Sequence, residues 1–173
     1  EVPRPAFARG ASARADLVAA RRAFAALGRA ADGAHNYQRP TSLNALLQAR
    51  LFPDMFPLVR QVQIACDFAK GATGRLAGDD FPTFEDNETS FEDLKARVAK
   101  TVAYLQGLSP AAIDGTEDRE IPLTRRGETT VHRAEDYLLK QALPNFYFHC
   151  TTAYAILRHN GVVVGKRDFI GLS

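Results

Sequence analysis

Apolar residues recur at helical spacing over four long stretches of this chain, and each stretch runs into a breaker. From Ala6 to Ala30, Phe7, Ala11, Leu17, Val18, Phe24 and Leu27 mark one stripe in a segment rich in Ala, Arg and Leu, which predicts a first long helix. A turn-rich break follows from Gly33 to Pro40. Thr41 or Ser42 then caps a short helix, Leu43 to Arg50, with Leu43, Leu46 and Leu47 inward. The second long helix begins near Pro53 to Pro57, since proline is tolerated in a first turn, and runs to about Leu76. Its buried side is Val59, Val62, Cys66, Ala69 and Leu76, widened by Leu58, Ala65, Phe68 and Ala72. Gly78 to Glu88 reads as a loop whose Phe81 and Phe84 lie over the bundle end. Thr89 and Glu92 fit a capping box that opens the third long helix. That helix runs to about Leu108, with Phe91, Leu94, Val98, Val102 (or Thr101) and Leu105 inward.

The period changes between Glu120 and His132. Two short alternating runs around Arg125-Arg126-Gly127-Glu128 predict a small β-hairpin, which must lean on the bundle to be stable. The last long helix starts at Arg133 or Ala134 and stops at Gly161. Pro144 lies inside it. Proline deletes one backbone hydrogen bond and clashes with the carbonyl of Lys140, so a kink or break is expected at Lys140–Pro144. From Leu143 to Gly161 this helix is apolar on most sides, which makes it the expected central stave of a bundle. The tail, Val162 to Ile170, is expected to be extended, with Phe169 or Ile170 docking back. Residues 1–173 read as a single domain.

Composition narrows the class without naming a reaction. With 173 residues, 46% hydrophobic and 24% charged, the chain can bury a full core without staples. A net charge of +2 gives no argument for nucleic acid or an anionic membrane. Arg4, Arg9, Arg14, Arg21, Arg22 and Arg29 crowd the first segment and read as a solvated helix face rather than a phosphate-binding patch. Cys66 and Cys150 both fall in apolar helical segments, the placement of core thiols in a reducing compartment. No apolar run is long enough to span a bilayer and no secretory leader is visible, so a cytoplasmic protein is expected.

Candidate chemistry sits on two helices. Asn145 and His149 are four apart on one face of the last helix, and Thr152 shares that face. On the second helix Arg60, Gln63, Asp67 and Lys70 form a polar stripe at i, i+3, i+7 and i+10. It is either a water-facing side with a local Asp67–Lys70 pair, or it turns Gln63 and Asp67 into a polar pocket. His35 and His132 fall at loop and hairpin positions, and His159 favours the dipole at a helix C-terminus. Cys150 adjoins His149, but neighbours on a helix diverge by about 100°, so the two do not make a nucleophile–base pair. There is no phosphate-binding loop, dinucleotide fingerprint or serine elbow.

Several segments together resemble a known family. They are Phe7-Ala8-Arg9-Gly10, Ala49 through Leu58, Arg60-Gln61-Val62-Gln63-Ile64-Ala65, Phe84 through Thr89, Ala142-Leu143-Pro144-Asn145-Phe146 and Arg158-His159-Asn160-Gly161. The chain is similar to a domain-of-unknown-function family within the DinB/YfiT-like superfamily. That resemblance implies an all-α, up-down-down-up four-helix bundle, here with a small β-hairpin before the last helix, and often a homodimer. DinB-like relatives often hold a divalent metal with one histidine from the second helix and an H-x-x-x-H pair from the last. Leu157-Arg158 places His149 on the second position of that pair, so Asn145 takes the first. The second helix has no histidine, and only Gln63 or Asp67 is expected to face the site. Asn145, His149 and Asp67 would make a weak, oxygen-rich, degenerate metal site, since zinc and nickel favour imidazole and thiolate. The leading expectation is therefore a binding module without a cofactor, in which Gln63, Asp67, Asn145, His149 and Thr152 orient a small molecule between the second and last helices. The alternatives are a metal-dependent hydrolase or transferase of the DinB-like kind, and a dimeric structural protein without a ligand.

Overall fold

A computed structural model of the chain describes residues 43–170. The predicted first long helix, the arginines on it and His35 lie outside the described residues. The chain enters through a short helix, α1 (Leu43–Leu47), and a loop that leads to the long α2 (Leu58–Ala77). A second loop reaches α3 (Phe91–Gly107), followed by one 3₁₀ turn at Pro110–Ala112. The hairpin is β1 (Glu120–Arg125) and β2 (Glu128–Arg133), then comes α4 (Ala134–Tyr137). A π-helical segment, Leu138–Ala142, joins α4 to α5 (Leu143–His159), and α6 (Lys166–Ile170) ends the described chain. Among the described residues no helix is long and apolar enough to cross a membrane.

The α2 helix is the common partner, packing against α5 along one side and α3 along another. Leu58, Val62, Ala65 and Cys66 of α2 meet Phe91 and Leu94 of α3 and Phe146, Cys150, Ala153 and Ile156 of α5 in the main core. Leu46 and Leu47 of α1 close its end. A smaller core lies at the other end of α2. There Ala72 and Leu76 meet Ile121 and Leu123 of the hairpin and Ala134, Tyr137 and Ala142. The hairpin thus leans on the bundle by the two alternating residues of β1 that its period selects. Its strands pair antiparallel from Glu120 opposite Arg133 to Arg125 opposite Glu128. Arg126 and Gly127 both have positive φ, 52° and 84°, as a two-residue turn matched to the strand twist requires.

Helix ends follow local chemistry. Gly161, at φ 90°, closes α5: its N–H donates to the Arg158 carbonyl at 3.1 Å, and the Val162 N–H donates to Leu157 at 3.0 Å. The capping box of α3 stands one residue later than the Thr89/Glu92 reading. Ser90 is the N-cap, its Oγ accepts from the Asp93 N–H at 3.1 Å, and Asp93 Oδ2 accepts from the Ser90 N–H at 2.9 Å. The sequence fits both registers, and burial of Phe91 as the first helical residue selects this one. Thr101 rather than Val102 is the buried residue on α3, with its hydroxyl returned to the Arg97 carbonyl at 3.0 Å. The tail is not extended throughout. Residues 166–170 are helical, with Asp168 Oδ2 accepting from the Gly165 N–H at 2.7 Å, and Phe169 docks edge-on to Tyr154.

The expected break at Pro144 takes the form of the π-helical segment. Pro144 offers no N–H to Lys140, and the chain takes up the extra residue as one wide turn before regular α-helix resumes. The chain therefore runs from the hairpin into α5 as two helical pieces, with Asn145 in the first turn of the second.

Candidate functional site at the seam of α2 and α5

The residue that α2 presents to His149 is Gln61. Gln61 Oε1 lies 2.7 Å from His149 Nδ1. Gln61 is 1% exposed and His149 9%, so both are taken out of water at the helix seam. The other end of the amide fixes its orientation: Gln61 Nε2 donates to the Phe56 carbonyl at 3.1 Å. With the nitrogen committed there, the oxygen faces the imidazole and Nδ1 carries the proton. Nε2 of His149 is then the lone-pair nitrogen.

No hydrogen bond joins Nε2 of His149 to another described residue, and the residue as a whole is 9% exposed. The ring is stacked near Phe68, with centroids 6.1 Å apart, and Phe148 stands edge-on to it at 5.2 Å. Phe148 is itself exposed. Burial first, and the charge of Arg60 second, push the imidazole below its ordinary pKa of 6.5. A neutral, oriented acceptor at a half-apolar surface is the result.

Asn145 and Thr152 lie on the His149 side of α5, four residues before it and three after. Both make hydrogen bonds to a backbone carbonyl four residues back. Asn145 Nδ2 donates to the Gln141 carbonyl at 2.6 Å, inside the π turn, and Thr152 Oγ1 donates to Phe148 at 2.8 Å. Asn145 keeps its amide oxygen, which can accept.

Gln63 and Asp67 lead elsewhere. The stripe Arg60, Gln63, Asp67, Lys70 is half covered: Gln63 and Lys70 are buried, while Arg60 and Asp67 remain partly exposed. The cover is α3 and the loop of residues 78–90. Gln63 Nε2 donates to Glu88 Oε2 at 2.7 Å. Asp67 Oδ1 accepts from Arg97 Nη2 at 2.9 Å and from Lys70 at 3.0 Å, the local pair read from the sequence. Arg97, 2% exposed, also reaches Glu88 Oε1 and the Glu85 carbonyl through Nη1, each at 2.9 Å, and Asp86 through Nη2 at 3.0 Å. Arg60 pairs with Asp86 as well. Phe84 lies beneath both Lys70 and Arg97, at 5.1 and 5.5 Å from its ring centre. Three cations and three carboxylates thus close on one another. Burial alone would lower the Arg97 pKa; the Glu88 hydrogen bond and the Asp67 charge outweigh it and raise it. Beside this network lies an open hollow of about 500 Å³, walled by Phe84, Glu85, Asn87, Glu88, Arg97 and Lys100. The wall's Arg97 and Glu88 already hold each other, so the network reads as a clamp on the loop.

The structure therefore joins His149 to Gln61, and joins Gln63 and Asp67 to α3. Gln61 is the residue that sequence reasoning passed over. Its signal was present: Gln61 stands alone among Leu58, Ala65, Phe68 and Ala72 at helical spacing, and a lone amide on an apolar face must find a partner.

The family model for a domain of unknown function, DUF1993, matches residues 17–170. The chain belongs to the DUF1993 family. The DUF1993 chain is also similar to a solved structure, the crystal structure of a DinB family member protein from Shewanella denitrificans. The two share 35% identity over 97% of this chain and 96% of that one, with a TM-score of 0.83. No curated protein matches the DUF1993 chain. The metal that a DinB-like fold suggests can be judged against the donors present. Among the described residues no three of His, Cys, Asp or Glu gather to hold an ion. The polar partner of His149 is an amide, Gln61, position 145 one turn before it is also an amide, and Asp67 is held by two cations. Amide oxygen is a poor donor for the metals that imidazole attracts, so the DUF1993 residues here do not fit the ion.

Proposed function

We propose that this DUF1993 domain is a binding module that takes a small molecule at the seam of α2 and α5, without a metal. The supporting observation is the Gln61–His149 hydrogen bond, which leaves Nε2 as a neutral acceptor with no partner among the described residues. His149 accepts from an N–H or O–H of the ligand, and the Asn145 amide oxygen and Thr152 lie on the same helix face to orient it. Phe148 covers an apolar part of the ligand. Gln63 and Asp67 serve the site indirectly, by holding the α2–α3 clamp. We further propose that residues 6–30 supply the fourth long helix of an up-down-down-up bundle, and that two copies pair. Two buried free thiols suit a reducing compartment such as the cytoplasm.

A thermal-shift screen of uncharged and weakly basic metabolites tests the reading, with His149→Phe as the control that keeps the ring volume. A ligand that raises the melting temperature of the wild type and not of His149→Phe supports it. No ligand, or equal shifts in both proteins, contradicts it.

A further inference from the structure

We propose that the Gln61–His149 hydrogen bond stands in place of a metal ion between α2 and α5, so that the seam is a latent three-donor site whose positions 61 and 145 carry amides where imidazoles would be needed. The inference holds whether or not a small molecule binds.

One pair of the three positions already meets, and the third lies one helical turn away. Asn145 and His149 are at i and i+4 of one α-helix, the spacing that lays two ligands on one face. Gln61 meets His149 from the neighbouring helix, with its terminal oxygen 2.7 Å from Nδ1. Two donors around a tetrahedral zinc, each at 2.0–2.1 Å, stand about 3.3 Å apart. The Gln61–His149 pair thus stands about 0.6 Å closer than two ligands of one zinc ion. Arg60, whose charge reaches His149, is paired with Asp86, so a cation there would not face a bare guanidinium.

The amide does the two structural jobs an ion would do. It ties α2 to α5 across the core, and it fixes the imidazole in one tautomer. A third amide contact, Asn145 to the Gln141 carbonyl, holds the remaining position back in the π turn. What the amide does not supply is a Lewis acid.

The test is metal uptake by the whole chain after chelator treatment, read with Co(II). Four proteins are compared: wild type, Asn145→His, Gln61→His/Asn145→His, and that double variant with His149→Ala added. The double variant is expected to bind about one Co(II) per chain, with the intense visible absorption of a four-coordinate ion. His149→Ala should abolish it. Wild type should take up no stoichiometric metal. A double variant that folds by circular dichroism and binds none overturns the proposal. So does wild type that binds one equivalent lost in His149→Ala. If the double variant does not fold, Gln61→His alone decides: Co(II) binding tighter than wild type by an order of magnitude or more supports the proposal, and equal binding overturns it.

Discussion

Arg97 and Glu88 meet at 2.9 Å with side chains only 2% and 7% exposed, and through them the loop of residues 78–90 is locked onto α2. Removing one member of a buried pair leaves the other charge uncompensated, which costs about 3–5 kcal/mol. Arg97→Met is expected to destabilise the fold by that amount in urea unfolding. Arg97→Lys should recover little, because a single ammonium cannot reach Asp67, Asp86, Glu88 and the Glu85 carbonyl together. A loss below about 1 kcal/mol for Arg97→Met, the level of an exposed pair, would contradict the clamp.

The register of the α3 cap gives a sharper local prediction. Ser90→Ala removes the acceptor of the Asp93 N–H and should cost about 1 kcal/mol. Asp93→Ala removes bonds from the backbone N–H groups of Thr89 and Ser90 and should also be destabilising. Glu92→Ala should be close to neutral. Equilibrium unfolding of the three variants checks the order, and a larger cost at Glu92 than at Asp93 would restore the Thr89/Glu92 register.

Much of this fold is legible in the chain. The break at Pro144, the Gly161 stop and the hairpin around Arg126-Gly127 each follow from one residue's backbone chemistry. Local rules reach them because the cause and the effect lie within a turn of each other. The candidate site is less legible. Gln63 and Asp67 were candidates because they line a stripe, yet a stripe has no direction until its neighbour is known. The neighbour is the loop bearing Asp86 and Glu88, together with Arg97 of α3. The partner of His149 is 88 residues away along the chain, and only the packing of α2 on α5 identifies it as Gln61.

Stability should follow pH through His149. Its folded pKa lies below the ordinary 6.5, so the unfolded chain binds the proton first as pH falls. The contribution is complete above the unfolded pKa, declines as pH drops below about 6.5, and levels off once the folded pKa is passed. Denaturant midpoints between pH 8 and pH 5 should fall more in wild type than in His149→Phe. Parallel curves would contradict a buried neutral imidazole.

The two thiols should be silent in the folded protein. Burial pushes Cys66 up to about 11 and raises Cys150 further, with the neighbouring Cys66 adding to the effect on Cys150. Thiolate is the reactive form, so neither should react with a thiol reagent at pH 8 without unfolding. In denaturant both should react. Rapid labelling of a folded thiol would contradict the packing at the α2–α5 seam.

The most direct test of the seam is the position of one proton. Nitrogen-15 spectra of the His149 imidazole at neutral pH should show Nδ1 protonated and Nε2 as the bare, basic nitrogen. Gln61→Leu, which removes the acceptor, should release that preference. A ring protonated on Nε2 in the wild type, or on both nitrogens at neutral pH, would contradict the Gln61–His149 arrangement.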